Sequence, residues 1–160
     1  MKPFHTLALA ALLALAHTSG HAADTQETPA APAAASELEQ GRATIAARQW
    51  TKATGHLDKA LASDRNNADI HSLLGFSHRN SGRHVKAMEH YNHALRLNPG
   101  HRGANEYIGV AYLIERNKAK AEEHLARLEK ICGKTCDEYK SLEKSIHTFT
   151  HTGTVSAYGG

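Results

Sequence analysis

Cysteine is scarce in this 160-residue sequence: Cys132 and Cys136 are the only two. No cysteine follows the N-terminal apolar run, which argues against a bacterial lipid anchor. The pair is not Cys-x-x-Cys in a strand-helix setting, so a thioredoxin-like redox motif is missing, and Asp137 stands where a c-type haem site requires histidine. Long hydrophobic runs are absent too. The longest, Leu7 to Ala16, is well short of the roughly 20 residues a membrane-spanning helix requires. Charge of one sign is lacking: the formal net charge of +3 is too mild and too scattered for a nucleic-acid surface. There is no Gly-rich phosphate loop, no His-Glu-x-x-His and no nucleophile elbow. Scattered Glu and His are not a site without convergent geometry. An enzyme is therefore not expected, nor a cofactor.

The first 22 residues read as a secretory signal. Lys2 supplies a positive start, LALAALLALA is the apolar stretch, and Gly20 and Ala22 stand at the −3 and −1 places of a signal-peptidase site. Removing them takes away one of the 19 basic residues and three of the 13 histidines, leaving +2 against 16 acidic residues. Residues 23–35 are Ala, Pro and small polar residues, which bury too little apolar surface to order themselves and read as a disordered linker.

From Ser36 the chain repeats. Gly41, Gly75 and Gly109 are 34 residues apart, as are Ala53, Ala87 and Ala121, then Leu57, Tyr91 and Leu125. Glycine is about 7% of average sequence, so two further matches at a chosen offset arise by chance roughly once in 200. Each unit reads as two helices. Ser36 with Glu39 forms a capping box for the first, and Ile70, Leu73, Leu74 and Phe76 line the first helix of the second unit. Ser81-Gly82 breaks it, and Val85, Met88, Tyr91, Leu95 and Leu97 line the next helix before Asn98-Pro99-Gly100. The glycines are expected to lie mid-helix facing the alanines, so that axes approach to about 8–10 Å. A repeat array exposes an apolar face at its end. Residues 135–149 supply a capping helix, with Thr135 and Glu138 as a second capping box. Residues 150–160 read as a flexible tail.

The set Leu74-Gly75, His78, Gly82, Ala87, Tyr91, Ala94 and Pro99 resembles the tetratricopeptide repeat consensus. The resemblance covers units at about 36–67, 68–101 and 102–133. It departs where the consensus Trp is Glu37, His71 and Asn105, and where the turn glycine is Arg48 and Arg116. It implies an all-α solenoid of helical hairpins, with the first helices lining a concave groove that grips a peptide or helix; together with the signal segment, an exported bacterial type is expected, periplasmic or secreted, whose partner is another exported or membrane protein. By register, groove positions are Leu38, Arg42 and Ile45; Asp69, Ser72, Phe76, Arg79 and Asn80; Glu106, Val110, Leu113 and Ile114. Arg42, Arg79 and Asn80 are the candidates for holding a carboxylate, although the family's Lys–Asn set is absent. Phe76, Val110 and Leu113 read equally well as core between repeats.

In an oxidising compartment Cys132 and Cys136 are expected to form a disulfide contributing about 2 kcal/mol and clamping the cap onto the array. The alternative is a periplasmic copper-handling protein that uses the Cys-x3-Cys pair as thiolates together with histidines. His56, His90 and His124 hold one place in all three repeats. Equivalent residues on stacked repeats lie about 10 Å apart, too far to share one ion. They are expected to pack half-buried where the family places an aromatic; His90 and His93, three apart on one helix face, read as a solvated surface pair, with weak metal binding as the alternative. N-terminal sequencing of the exported protein is expected to begin at Ala23; a mature chain that retains Met1 would remove the export reading.

Overall fold

The computed structural model describes residues 30–155. The signal-peptide reading, residues 23–29 of the linker and residues 156–160 of the tail lie outside them. Among the described residues there are seven helices and no strand: α1 (Ala30–Ala46), α2 (Trp50–Ser63), α3 (Ala68–Asn80), α4 (His84–Leu97), α5 (Arg102–Ile114), α6 (Lys118–Cys132) and α7 (Asp137–Thr152). They pair as three hairpins, α1 with α2, α3 with α4 and α5 with α6, and the first helices of successive hairpins lie side by side, ending in α7.

One backbone turn, used three times, sets the period. Arg48, Gly82 and Arg116 each take a positive φ, at 56°, 76° and 59°. In each case the next residue donates its N–H five residues back: Gln49 to Thr44, Arg83 to His78 and Asn117 to Tyr112, at 2.8, 2.9 and 2.7 Å. This six-residue closure is how a helix ends on a left-handed residue. Only Gly82 adopts that region freely; an L side chain there costs about 1–2 kcal/mol. The turn is thus set by the packing of the hairpin, not by the residue at its apex. Helices α3, α5 and α6 start on polar caps. Asn67 Oδ1, His101 Nδ1 and Asn117 Oδ1 accept from the N–H of Ile70, Ala104 and Lys120, each three residues on.

The core is a chain of clusters, each lying where one hairpin meets the next first helix. Leu57 and Ala60 of α2 pack with Ile70 and Leu74 of α3. Ala87 and Tyr91 of α4 pack with Ile108 and Ala111 of α5. Val110, Leu113, Ala121 and Leu128 pack with Tyr139, Leu142 and Ile146 of α7. No hairpin closes its own core, so stability comes from stacking. Helix α7 keeps the period, with Leu142 following Ile108, and Tyr139 following Asn105, by 34 residues.

The glycines do allow close approach, but their partners differ from the expectation. Ala53, Ala87 and Ala121 are fully buried. A Cβ at Gly41 would stand 2.7 Å from Leu57, one at Gly75 2.5 Å from the ring of Tyr91, and one at Gly109 2.6 Å from Leu142. The atom nearest each hollow therefore belongs to a large side chain, and in the second repeat the carbonyl of Ala87 is also close, 3.1 Å from such a Cβ at Gly75. In the third repeat the side chain comes from α7.

Several boundaries shift. Helix α1 starts at Ala30, so Ser36 lies inside it and is no cap. Pro32 is tolerated because a first-turn residue has no helical acceptor for its N–H. Helix α7 starts after Cys136, so the Thr135–Glu138 box does not form, and it runs to Thr152 before Gly153 ends it at φ 67°. Val85, read as core-facing, is 75% exposed, and Leu97 and Ile131 are partly exposed, because each lies at a helix end beyond the reach of the neighbouring layer.

Replacing Gly75 with Leu is expected to destabilise the fold by about 3 kcal/mol or more, since the Tyr91 ring has no room to retreat. Gly55→Ala in α2, where a Cβ meets nothing within 4 Å, is expected to stabilise by up to about 1 kcal/mol. Thermal melts of both variants check the pair; a G75L protein that melts like the parent would contradict the packing account.

Candidate functional site

Each hairpin is bridged by a polar contact between residues 19 apart on its two helices, and in the first hairpin Lys59 also reaches Glu37, at 3.4 Å. His56 Nδ1 meets Glu37 Oε2 at 2.6 Å, His90 Nδ1 meets His71 Nδ1 at 3.1 Å, and His124 Nδ1 meets Asn105 Oδ1 at 3.0 Å. The first-helix partner is the residue standing where the family consensus has Trp. The loss of that aromatic and the repeating histidine are therefore one feature, legible in the sequence as a 19-residue pairing within a 34-residue period. Neighbouring bonds fix the tautomers. Asn105 gives its amide hydrogens to the carbonyls of Pro99 and His101, leaving Oδ1 to accept from the His124 ring. His71 donates Nε2–H to the carbonyl of Arg65, so its Nδ1 accepts from His90. In the second hairpin the pair extends into a row, with His93 stacked on His71 at 4.0 Å and His78 stacked on His90 at 5.3 Å between ring centroids.

The first helices are joined side to side by a second set of contacts. Arg42 of α1 and His101, the cap of α5, both reach Asp69 of α3, at 3.4 and 2.8 Å. Arg79 Nη1 of α3 donates to the carbonyl of Tyr107 in α5 at 3.4 Å. Ser141 of α7 donates to Glu106 Oε1 at 2.6 Å, and Arg102 pairs with Glu138 at 3.5 Å. Between them lies an open hollow of about 460 Å³ lined by Arg42, Asp69, Ser72, Leu73, His101, Arg102, Tyr107 and Glu138, among others. It spans α1, α3, α5 and the start of α7 and carries both signs of charge.

The structure sorts the groove positions read from the sequence. Arg42, Asp69 and Ser72 line the hollow, the first two with exposed side chains. Leu38 and Ile45 are half-buried against the first core cluster. Val110 and Leu113 are fully buried, which decides groove against core in favour of core for those two. Ile114 is half-buried in a small hollow with Phe149 and Val155 at the far end of α5. Phe76 is half-buried, 4.8 Å from the ring of Tyr107 and 5.9 Å from that of Trp50. Arg79 is only 3% exposed, with its guanidinium 5.2 Å and 5.9 Å from the ring centroids of Phe76 and Tyr107. It joins two repeats through cation–π contact and offers no free face to a carboxylate. Asn80 donates to the carbonyl of Phe76 on its own helix. Glu106 is buried, and burial raises its pKa, while the Ser141 bond and nearby Arg79 pull the other way. His101, Arg102, Tyr107 and Glu138 were missed as groove residues. His101, Arg102 and Glu138 sit at or beside helix starts, which a 3.6-residue pattern read from the helix middle does not reach; Tyr107 lies in the middle of α5.

Cys132 and Cys136 form a disulfide across the α6–α7 turn at Gly133, with Cα atoms 5.9 Å apart. The Glu138 carboxylate lies within 4.8 Å of both sulfurs. No helix of the described residues is long and apolar enough to cross a membrane.

Residues 68–101 match the family model of the tetratricopeptide repeat. The fold is that of a tetratricopeptide-repeat array. Solved structures agree along most of the chain. The tetratricopeptide domain of Arabidopsis OM64 superposes with a TM-score of 0.67 at 17% identity, over 74% of this chain and 98% of that one. The first tetratricopeptide domain of Spaghetti (RPAP3), solved with the HSP90 peptide SRMEEVD, does so with 0.65 at 16%, over 76% and 95%. The Sgt2 tetratricopeptide domain of Aspergillus fumigatus gives 0.63 at 20%, over 81% and 89%. No curated protein matches the sequence.

Burial holds the imidazoles of His71, His78 and His90 below the usual histidine range and pushes His124 down to about 4. The cations Arg96 near His71, Arg83 and Lys86 near His78, and Arg127 near His124 act in the same direction; Asp58 opposes them at His78 and His90. The unfolded chain therefore binds these protons more readily. Stability is full above about pH 6.5 and falls as pH drops towards 4. At about 1.4 kcal/mol per pKa unit, His124 alone is expected to remove about 3 kcal/mol by pH 4. Melting temperatures from pH 7.5 to 4.5 should fall, and His124→Gln should flatten part of that slope; a parent protein that gains stability in acid would contradict the buried neutral imidazoles.

Proposed function

We propose that this protein is a non-catalytic interaction scaffold of the periplasm, binding a peptide or helix of another exported protein in the groove formed by α1, α3, α5 and the start of α7. The observation that carries this reading is the open hollow across the first helices. Its walls are positioned from opposite sides by Asp69 and Glu138, while Leu73 and Tyr107 add apolar surface. A peptide fits such a surface because backbone and side-chain polar groups of both signs find partners there, with an apolar contact between them. The peptide seen on the RPAP3 domain supports a peptide as ligand class.

The chemistry here favours a different peptide from an acidic chain end. Arg42 and Arg102 are each paired with a carboxylate; both guanidinium groups and Asp69 are exposed while Glu138 is half-buried, so each pair is worth little to the fold and each arginine is free to exchange partners. A segment carrying both an acidic and a basic residue, spaced to replace these contacts, matches the groove. Bonded to each other, Cys132 and Cys136 have no thiolate to offer copper(I).

A double reversal, Arg42→Glu with Arg102→Glu, is expected to leave the melting temperature within about 2 °C of the parent, as exposed substitutions do. It should abolish capture of the partner. A photoreactive residue at Leu73 is expected to crosslink a discrete envelope protein in cells, and one at Val85 on the outer helix α4 is not. Equal crosslinking from both places, or capture that survives the double reversal, would remove the groove assignment.

A further inference from the structure

The last two turns of α7 carry His147 and His151, both exposed, four residues apart. Residues at this spacing lie one above the other on a helix. Their rings already face each other, with centroids 4.1 Å apart and planes 30° from parallel. His151 Nδ1–H donates to the carbonyl of His147 at 2.8 Å. This bond selects one tautomer, in which the lone pair of His151 is on Nε2, away from the helix. A ring nitrogen anchored to a carbonyl while the other stays free is the arrangement that orients histidine ligands in metal sites.

We propose that His147 and His151 form a two-imidazole site for a divalent first-row transition cation, separate from the cysteine pair and from the groove. Two imidazole nitrogens on one ion, each about 2.0–2.1 Å from it, stand roughly 3 Å apart. The ring centroids are 4.1 Å apart and the planes 30° from parallel, so the rings must splay for both lone pairs to meet one ion; with His151 held by its carbonyl, the exposed His147 side chain makes that turn by rotation about its side-chain bonds, with no change in the backbone. Water completes the coordination. The position adds a second contribution: a cation at the C-terminal end of a helix is favoured by the unpaired carbonyls and the negative end of the macrodipole. The charged side chains one turn earlier on α7 are Glu143, which accepts from Tyr139, and Lys144. Imidazole ligands suit nickel, copper and zinc, and copper(II) binds tightest in the order common to such sites. The other histidine groups lack this freedom. His71, His90 and His93 hold one another within the α3–α4 hairpin, and His56 and His124 are bound to Glu37 and Asn105. An ion bridging the two rings would join successive turns and stabilise the end of α7, which supplies Leu142 to the Gly109 hollow.

The test uses the full chain with its disulfide intact, titrated with zinc(II) and nickel(II) by calorimetry. One equivalent is expected to bind, and His147→Gln or His151→Gln is expected to weaken it at least tenfold. His93→Gln should leave it unchanged. As an independent readout, zinc should slow amide exchange over residues 149–152 in the parent and not in H147Q. Both substituted side chains are exposed, so the variants should fold, with unchanged circular dichroism. Unchanged affinity in H147Q and H151Q, or equal loss in H93Q, would overturn the proposal.

Discussion

At each crossing of two layers in this protein a glycine opens a hollow and one large side chain fills it: Leu57 against Gly41, Tyr91 against Gly75, Leu142 against Gly109. Everything else in the array depends on these three contacts. They set how near two helices come, and so decide which residues face the neighbouring repeat. A mid-helix glycine costs about 1 kcal/mol of helix propensity; the fully buried Leu57, Tyr91 and Leu142 each return about 1.5–3 kcal/mol from burial. The third contact also explains why α7 is integral. Its Leu142 occupies the place that the second helix fills in the earlier repeats, and the disulfide between Cys132 and Cys136 ties its start to the end of α6.

A second layer of organisation is polar. Within each hairpin a histidine on the second helix meets a polar residue on the first, and the three partners are Glu, His and Asn. These are not interchangeable. The Glu37–His56 contact is half exposed, and the imidazole hydrogen bond lowers the carboxyl pKa. The Asn105–His124 contact is buried, and Asn105 has every hydrogen-bonding group used. A buried polar contact is tolerable only when satisfied in this way. In the second and third hairpins burial holds the imidazoles of His71, His90 and His124 below the usual histidine range, which connects stability to pH.

The groove follows from the same architecture. Side-by-side first helices bring their starts together, and helix starts carry caps and charged residues: His101 caps α5 and also holds Asp69, and Glu138 near the start of α7 holds Arg102. The residues deeper along these helices are taken up in joining repeats. Arg79 lies flat between Phe76 and Tyr107, and Val110 and Leu113 belong to the core. The surface open to a ligand is therefore concentrated at one end of the inner helices and has mixed charge.

The sequence by itself determined the all-helical class, the 34-residue period, the hairpin pairing and the identity of the small residues, because these follow from local periodicity and from which side chains are absent. The cysteine pair at the last turn was legible for the same reason. What only the tertiary structure decided is which large side chain enters each glycine hollow, why Arg48 and Arg116 accept the left-handed turn that Gly82 takes freely, and why Arg79 and Val110 are buried when Arg42 is not. Helix α1 also begins before Ser36, at Ala30, against what composition suggested. The physical reason is common to all of these. A period tells which residues are equivalent, but exposure depends on what lies opposite, and in this stacked array that is a residue on another helix, 16 to 22 positions away within a hairpin and 27 to 35 between inner helices.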